Sequence, residues 1–141
     1  MRFMMIVKAD PSYEAGLPPN PALLAAVRKL SEKMARTGVL LQSGGLLPSS
    51  RGARVRVSRG RTTVIDGPFA ETKEIVGGFA ILEAASKEDA VRFGREFMQL
   101  HIEVLGPSYE GTLEVRPMFD PGSVDCPGVP REPAEAVGSE G

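Results

Sequence analysis

The stretch of this chain with the greatest capacity for chemistry is residues 66–74, which read DGPFAETKE. An aspartate precedes a Gly-Pro pair, and such a pair marks a turn of fixed geometry. A phenylalanine and a run of charged residues follow the turn. We expect this segment to lie at the rim of a pocket, because burying its charges in a core would be costly.

Asp66 is the candidate catalytic residue in this segment. In a cavity of low dielectric constant the pKa of its carboxyl would rise, and the group could act as a general acid or base. The alternative is a structural role, in which the carboxylate accepts hydrogen bonds from nearby backbone N–H groups. The sequence leaves both roles open.

Four further residues are candidates for ligand binding: Lys8, Phe69, Lys73 and Glu74. Phe69 would either line the pocket or anchor the turn in the core. Lys73 and Glu74 would either hold a polar ligand, since loops commonly carry function, or form a solvated surface. Lys8 ends an apolar run, so its charge needs either solvent or a partner.

The residue types that hold metals are scarce. The chain has a single histidine, His101, and a single cysteine, Cys126. Without a His/Cys cluster at ligand spacing, we expect no metal site and no cofactor. His101 continues an apolar helix face, where it would be a satisfied core residue or a cation near the helix end. Cys126 cannot form an internal disulfide, so nothing indicates secretion.

Size and charge narrow the function classes. The 141 residues and 15.1 kDa fit one domain, with enough hydrophobic residues (42%) for one core. The net charge of -1 favours neither nucleic acid nor a membrane as a partner. Arginines at five positions between 51 and 61 lack the aromatic neighbours that stack on bases. The apolar start is too short for a signal peptide or a membrane span, so we expect a cytoplasmic protein.

The pattern of apolar residues predicts the order of the elements. Asn20-Pro21 starts a helix that ends at Gly38, and Ser86 starts a second helix. A loop is expected from Asp10 to Pro19. Strands are predicted at residues 3–7, 39–43, 54–57, 61–65, 79–82 and 113–116, with Arg59-Gly60 as the turn of a hairpin.

Without that hairpin the order is βαββαβ, which is a ferredoxin-like α+β sandwich. Two helices cover one face of a four-stranded sheet, yet the strands at 3–7 and 79–82 are apolar on both faces. We therefore expect a homodimer that packs sheet to sheet around a cavity. The predicted domain spans residues 1–119. Residues 120–141, rich in proline and glycine, are predicted to form a flexible C-terminal tail.

The chain resembles the YCII-related family that carries a DGPF signature. The resemblance rests on residues 66–74, on the opening FMMIVKAD of residues 3–10, on Gly78-Phe79 and on the closing EVRP of residues 114–117. It implies a dimeric α+β barrel, a group in which some members bind haem, which would make His101 a possible ligand. In the YCII branch a His–Asp pair has been proposed as an acid–base site. Some DGPF members are similar to companions of alternative sigma factors.

The sequence therefore supports two functions. The first is a small-molecule-binding protein, or a cofactor-free enzyme, that uses a cavity beside the DGPF segment. There Asp66 would transfer a proton, Phe69 would shape the pocket, and Lys8 or Lys73 would hold an anionic group. The alternative is a non-catalytic regulatory or interaction protein linked to stress-response transcription. Whether the protein is an enzyme stays open at this stage.

Overall fold

A computed structural model describes residues 1–71 and 73–119. The predicted tail and Cys126 lie outside the described residues. The elements in chain order are β1 (Arg2–Lys8), α1 (Pro11–Glu14), α2 (Pro21–Arg36), β2 (Leu40–Gly45), β3 (Ala53–Ser58), β4 (Arg61–Asp66), β5 (Val76–Glu83), α3 (Lys87–Leu105) and β6 (Leu113–Pro117).

The main sheet is antiparallel and has the strand order β2-β5-β1-β6. This order, with α2 and α3 as the crossover helices, confirms the predicted ferredoxin-like α+β fold. Strand β1 lies at the centre, with Phe3 opposite Leu82 of β5 and Pro117 of β6. Because β1 pairs on both sides, its C-terminal end is held between the ends of two other strands.

Local signals place the helices where the sequence predicts them. The Asn20 side chain accepts hydrogen bonds from the N–H groups of Ala22 (2.8 Å) and Leu23 (3.3 Å) at the start of α2. Gly38 follows the helix with a φ of 77°, which favours glycine. At the start of α3, the Ser86 hydroxyl accepts a bond from the N–H of Asp89 at 3.2 Å. Among the described residues no helix has the length and apolar character needed to cross a bilayer.

The predicted loop from Asp10 to Pro19 contains a short helix, α1, that the sequence analysis missed. Asp10 caps it, accepting a hydrogen bond from the N–H of Ser12 at 2.7 Å. Pro11 stands at the first helical position, where its fixed φ suits a helix and its missing N–H costs nothing. The prolines of this segment favoured the prediction of a loop, so its capped helical turn was not predicted.

The core lies between the helices and one face of the sheet. Phe3 and Leu82 are buried almost completely, and Met34 of α2 packs on Met5 and Leu82. Gly94 lets α3 approach the sheet closely, because an added Cβ would lie 3.1 Å from a methyl carbon of Leu113. The helix-facing side chains of β1 therefore form the interior of the single chain.

The other face of the sheet carries no helix among the described residues. Met4, Ile6, Phe79 and Ile81 alternate with the core residues of β1 and β5, and all four are half-buried. Apolar residues on both sides of these strands predict burial of both faces. In one chain the burial is complete on the helix side alone, so this open face is available for contact.

Strands β3 and β4 form the predicted hairpin as a separate two-stranded sheet. Arg59 and Gly60 have φ angles of 53° and 75°, and two positive φ angles are typical of a tight hairpin turn that matches strand twist. The hairpin residues are exposed, with Val55, Val57 and Val64 between 68% and 74% accessible. The hairpin thus extends from the main sheet instead of adding to its core.

Candidate functional site

The DGPF segment folds back onto a 3₁₀ turn at Ser49–Arg51. The N–H of Gly67 donates to the carbonyl of Gly52 at 3.0 Å, and the Gly67–Pro68 peptide bond is cis. A Cβ added at Gly67 would overlap the carbonyl oxygen of Ser49. The position therefore needs glycine because two backbone segments meet there.

Ser49 joins three segments, and we call Glu14, Ser49 and Phe69 the Ser49 junction. The Glu14 carboxylate accepts hydrogen bonds from the backbone N–H of Ser49, at 3.1 and 3.2 Å, and from its hydroxyl. The same hydroxyl oxygen accepts a bond from the N–H of Phe69 at 3.0 Å. Ser49 is only 7% exposed, so these bonds form where water competes little. The junction ties α1 to the DGPF segment.

Arg54 of the hairpin covers the outer side of the segment. Its guanidinium lies 3.8 Å from the centre of the Phe69 ring and 3.3 Å from a carboxylate oxygen of Glu71. Phe69 is thus fixed by the hydrogen bond of its backbone N–H and by the cation that lies against its ring. A hydrogen bond from the backbone of Glu71, followed by the bond from Arg54, lowers the pKa of the Glu71 carboxyl below its usual value.

A cavity of about 370 Å³ lies where the end of β1 meets α1, the start of α2 and the end of α3. We call it the polar cavity, because seven residues with polar side chains line it: Lys8, Asp10, Ser12, Tyr13, Asn20, His101 and Tyr109. Its volume is within the range of small-molecule sites. The Tyr13 hydroxyl donates to the carbonyl of Leu46 at 2.9 Å, which fixes α1 as one wall.

Lys8 lines the polar cavity at the end of β1, where the pairing with β5 is irregular. Val7 pairs with Gly78 and Lys8 with Val76, so the extra residue of this bulge, Gly77, belongs to β5. The Lys8 side chain is 18% exposed, and its ammonium nitrogen lies 3.7 Å from a carboxylate oxygen of Glu74. This contact brings together two of the predicted ligand-binding residues.

His101 lies in the wall opposite α1, buried to 7% exposure. Its Nδ1 is 2.9 Å from the carbonyl oxygen of Phe97, so Nδ1 carries the proton that is donated there. In the neutral ring Nε2 is then an acceptor, and the hydrogen bond found for this ring within residues 1–71 and 73–119 is the one at Nδ1. The ring packs against Phe97 and Tyr109, with centroids 4.7 and 5.3 Å away.

Tyr109 brings a neutral hydroxyl to the same cavity. Burial, and secondarily the negative charge of Asp10, raise the pKa of its phenol above the ordinary value of 10.0. The phenol is therefore a proton-bearing donor at neutral pH. A Cβ added at Gly111 would overlap the Tyr109 hydroxyl, so the glycine allows the ring to fold inward.

Of the five predicted site residues, Lys8 alone lines the polar cavity, and Glu74 is near it only through its contact with Lys8. The other three lie elsewhere. Asp66 is exposed at the end of β4, where it pairs with Ala53, and it lines neither the polar cavity nor the second cavity described below. Phe69 is half-buried in the Ser49 junction, which corresponds to the anchoring alternative. Lys73 is exposed and also lines neither cavity. The DGPF segment thus stabilises the elements that line the polar cavity and does not itself line it.

Comparisons with known proteins show which family the chain belongs to. Residues 1–98, more than half of the chain, match the family model of the YCII-related domain. The chain belongs to the YCII-related domain family. It is also 38% identical over 103 residues to an uncharacterised protein of Rhizobium meliloti (strain 1021), which covers 72% of this chain and 76% of that relative.

The match to the YCII-related domain covers only part of the polar cavity. It includes Lys8, Asp10 and Tyr13, whereas His101 and Tyr109 lie beyond residue 98. Sequence reasoning assigned His101 to a helix face and missed Tyr109. The only local signal for the Tyr109 ring is its position two residues before a glycine, in a loop that follows a helix.

The first prediction concerns the Ser49 junction of this YCII-related domain. Ser49→Ala removes the hydroxyl that bonds both Glu14 and Phe69, leaving the N–H of Phe69 without its acceptor. We expect the free energy of unfolding, measured in urea, to fall by about 1–3 kcal/mol. The matched control is Ser50→Ala, an exposed neighbour, which should change it by less than about 0.5 kcal/mol. Equal effects of the two substitutions would contradict the role of the junction.

The second prediction concerns Tyr109. The folded state holds the phenol proton more tightly than the unfolded state, so the free energy of unfolding should decrease as the pH rises above about 10. In a Tyr13→Phe background, tyrosinate absorbance reports Tyr109 alone, since the chain has two tyrosines. Adding Asp10→Asn, which keeps a capping side chain, should return the pKa partway towards its ordinary value. An ordinary pKa in the folded parent would refute this arrangement.

Proposed function

We propose that this YCII-related domain binds a small organic acid in the polar cavity. The observation that carries the proposal is the position of Lys8, a mostly buried ammonium group at the wall of a 370 Å³ cavity. Its contact with Glu74, at 3.7 Å, is longer than a hydrogen bond and leaves donors free. A carboxylate would give this ammonium a strong partner.

Cofactor-free proton transfer is the chemistry that the same cavity supports. Nε2 of His101 is available as an acceptor, and the neutral phenol of Tyr109 is available as a donor. Together they suit a ligand whose proton is removed while a neighbouring oxygen receives a hydrogen bond. Asp66 was the candidate from the sequence, but His101 lies in the cavity wall, so we assign proton transfer to His101.

The alternative function is a regulatory partner of alternative sigma factors, which rests on the family resemblance alone. An interaction protein without a ligand would be expected to fill its interior with side chains. The volume of the polar cavity and the convergence of Lys8, His101 and Tyr109 favour ligand binding over that alternative.

We also propose that the chain forms a homodimer through the open face of its sheet. Met4, Ile6, Phe79 and Ile81 form an apolar centre, and charged residues such as Glu114 and Arg116 surround it. A second copy would present the same apolar centre, and its own charged rim could satisfy these groups. Residues of α2 and α3 line both described cavities, so we place the ligand site within each chain and not in the space between paired sheets, although Phe79 of the open face also lines one of them.

The ligand proposal predicts a specific loss on substitution of Lys8. A set of small carboxylic acids is screened by thermal shift, and the best ligand is measured by calorimetry. Lys8→Met should weaken its binding by about tenfold or more, because a hydrogen bond between charged groups is lost. Lys29→Met, an exposed lysine on α2, is the matched control. Equal affinities for both variants and the parent would refute the proposal.

Two substitutions of His101 separate its ring nitrogens in the same experiment. Asparagine can keep a donor near the position of Nδ1, and glutamine places a polar group near Nε2. If Nε2 faces the ligand, His101→Asn should lose more affinity than His101→Gln, and any proton transfer should be lost in both. The reverse order would assign His101 a purely structural role through Phe97.

The dimer proposal predicts that Met4→Glu yields a folded monomer. The new carboxylate would stand opposite Arg116 of β6, so the single chain should tolerate it, whereas an apolar interface should not. Val91→Glu, on the exposed side of α3, is the control and should leave the dimer intact. Sedimentation velocity gives the masses and circular dichroism checks the folding. A parent protein that sediments as a monomer at all concentrations would contradict the proposal.

A further inference from the structure

A second cavity, of about 320 Å³, lies between α2 and the main sheet. We call it the apolar cavity. The residues that line it are apolar except for Ser31 and Ser43, and the largest are Phe79 and Phe97. Neither the DGPF segment nor any charged residue contributes to its lining. A space with such walls holds water poorly.

The two cavities adjoin each other. Val7, Leu24, Gly45 and Gly77 line both of them. Two of these four residues are glycines, Gly45 at the end of β2 and Gly77 near the start of β5, and a Cβ added at Gly77 would lie 2.9 Å from the Cα of Ala9. A Cβ added at Gly45 would meet no atom within 4 Å, which marks open space at this point.

We propose that the two cavities form one site for a carboxylic acid with an unbranched hydrocarbon tail. The inference rests on the proposed function and adds the class of ligand. The carboxylate would bind Lys8 in the polar cavity, and the tail would pass Gly45 and Gly77 into the apolar cavity between α2 and the sheet. The polar cavity suits a charged head group, and the apolar cavity suits a hydrocarbon tail.

The charges of the polar cavity favour an anionic head over a cationic one. Asp10, the acidic residue in its lining, caps α1 through the N–H of Ser12, and Glu74, which contacts Lys8 from outside the lining, is 78% exposed to solvent. Lys8 is much less exposed, and within the described part of the chain its ion-pair contact is the long one to Glu74. An incoming carboxylate therefore replaces a weak ion pair with a closer one.

The tail makes a quantitative prediction. Each methylene group moved from water into the apolar cavity should strengthen binding by about fourfold. Affinities are measured by calorimetry for the straight-chain acids from butanoate to dodecanoate, below the concentrations at which they form micelles. We expect the dissociation constant to fall steadily with length and then to stop falling once the tail fills the cavity. Alkylamines and alcohols of equal length should bind at least tenfold more weakly.

A substitution in the apolar cavity tests where the tail lies. Val27 of α2 lines the apolar cavity and not the polar one. Val27→Trp should fill that space, so butanoate should bind as it does to the parent while the gain with length disappears. Ser31→Phe, one helical turn later on the same wall, serves if the first variant does not fold. The control is Val91→Ile on the exposed side of α3.

The outcomes separate this inference from the proposed function. If short acids bind through Lys8 but affinity does not rise with length, the tail site is wrong and the small-acid site stands. If amines bind as tightly as acids, the carboxylate head is wrong. If Val27→Trp keeps the full length dependence, the tail lies elsewhere. If acids of every length fail to bind, both proposals fail together.

Discussion

The arrangement of the site depends on the hydrogen bonds of the Ser49 hydroxyl. The hydroxyl donates to Glu14 and accepts from Phe69, so one buried group connects α1, the 3₁₀ turn and the DGPF segment. Two of these segments bring residues to the site: Asp10 and Tyr13, the cap and a member of α1, line the polar cavity, and Glu74 at the end of the DGPF segment contacts Lys8. Because a buried polar group is costly when unpaired, the three segments hold their positions together.

This connection explains why the DGPF segment is so distinctive without lining either cavity. Gly67 is required by close contact with Ser49, and Phe69 is held by a backbone bond and by the guanidinium of Arg54. The unusual residues of the segment therefore meet a packing requirement. A motif that looks chemical in sequence can thus serve a site by fixing the segments that form it.

The features that could be predicted from the sequence are those that depend on interactions between residues close together in the chain. Asn20 and Ser86 cap helices, Arg59-Gly60 turns a hairpin, and apolar alternation gives the strands, so the ferredoxin-like order followed from short-range signals. The polar cavity was only partly predictable: Lys8 was a candidate, whereas Tyr109 was missed. Lys8, His101 and Tyr109 come from β1, α3 and the loop before β6, and only the pairing of β1 with β6 and the packing of α3 on the sheet bring them together.

The end of β1 serves the two proposed roles of one small sheet. Met4 and Ile6 lie in the open face, whereas Lys8, two residues further along, lines the polar cavity. The register with β5 shifts at this point, because Gly77 is an extra residue in β5 opposite Val7 and Lys8. A charge within the apolar centre of the open face would oppose the pairing of two sheets, since burying an unpaired charge is costly. With Lys8 at the cavity, the open face keeps its apolar centre and the cavity gains its cation, so the ligand proposal and the dimer proposal rely on different parts of β1.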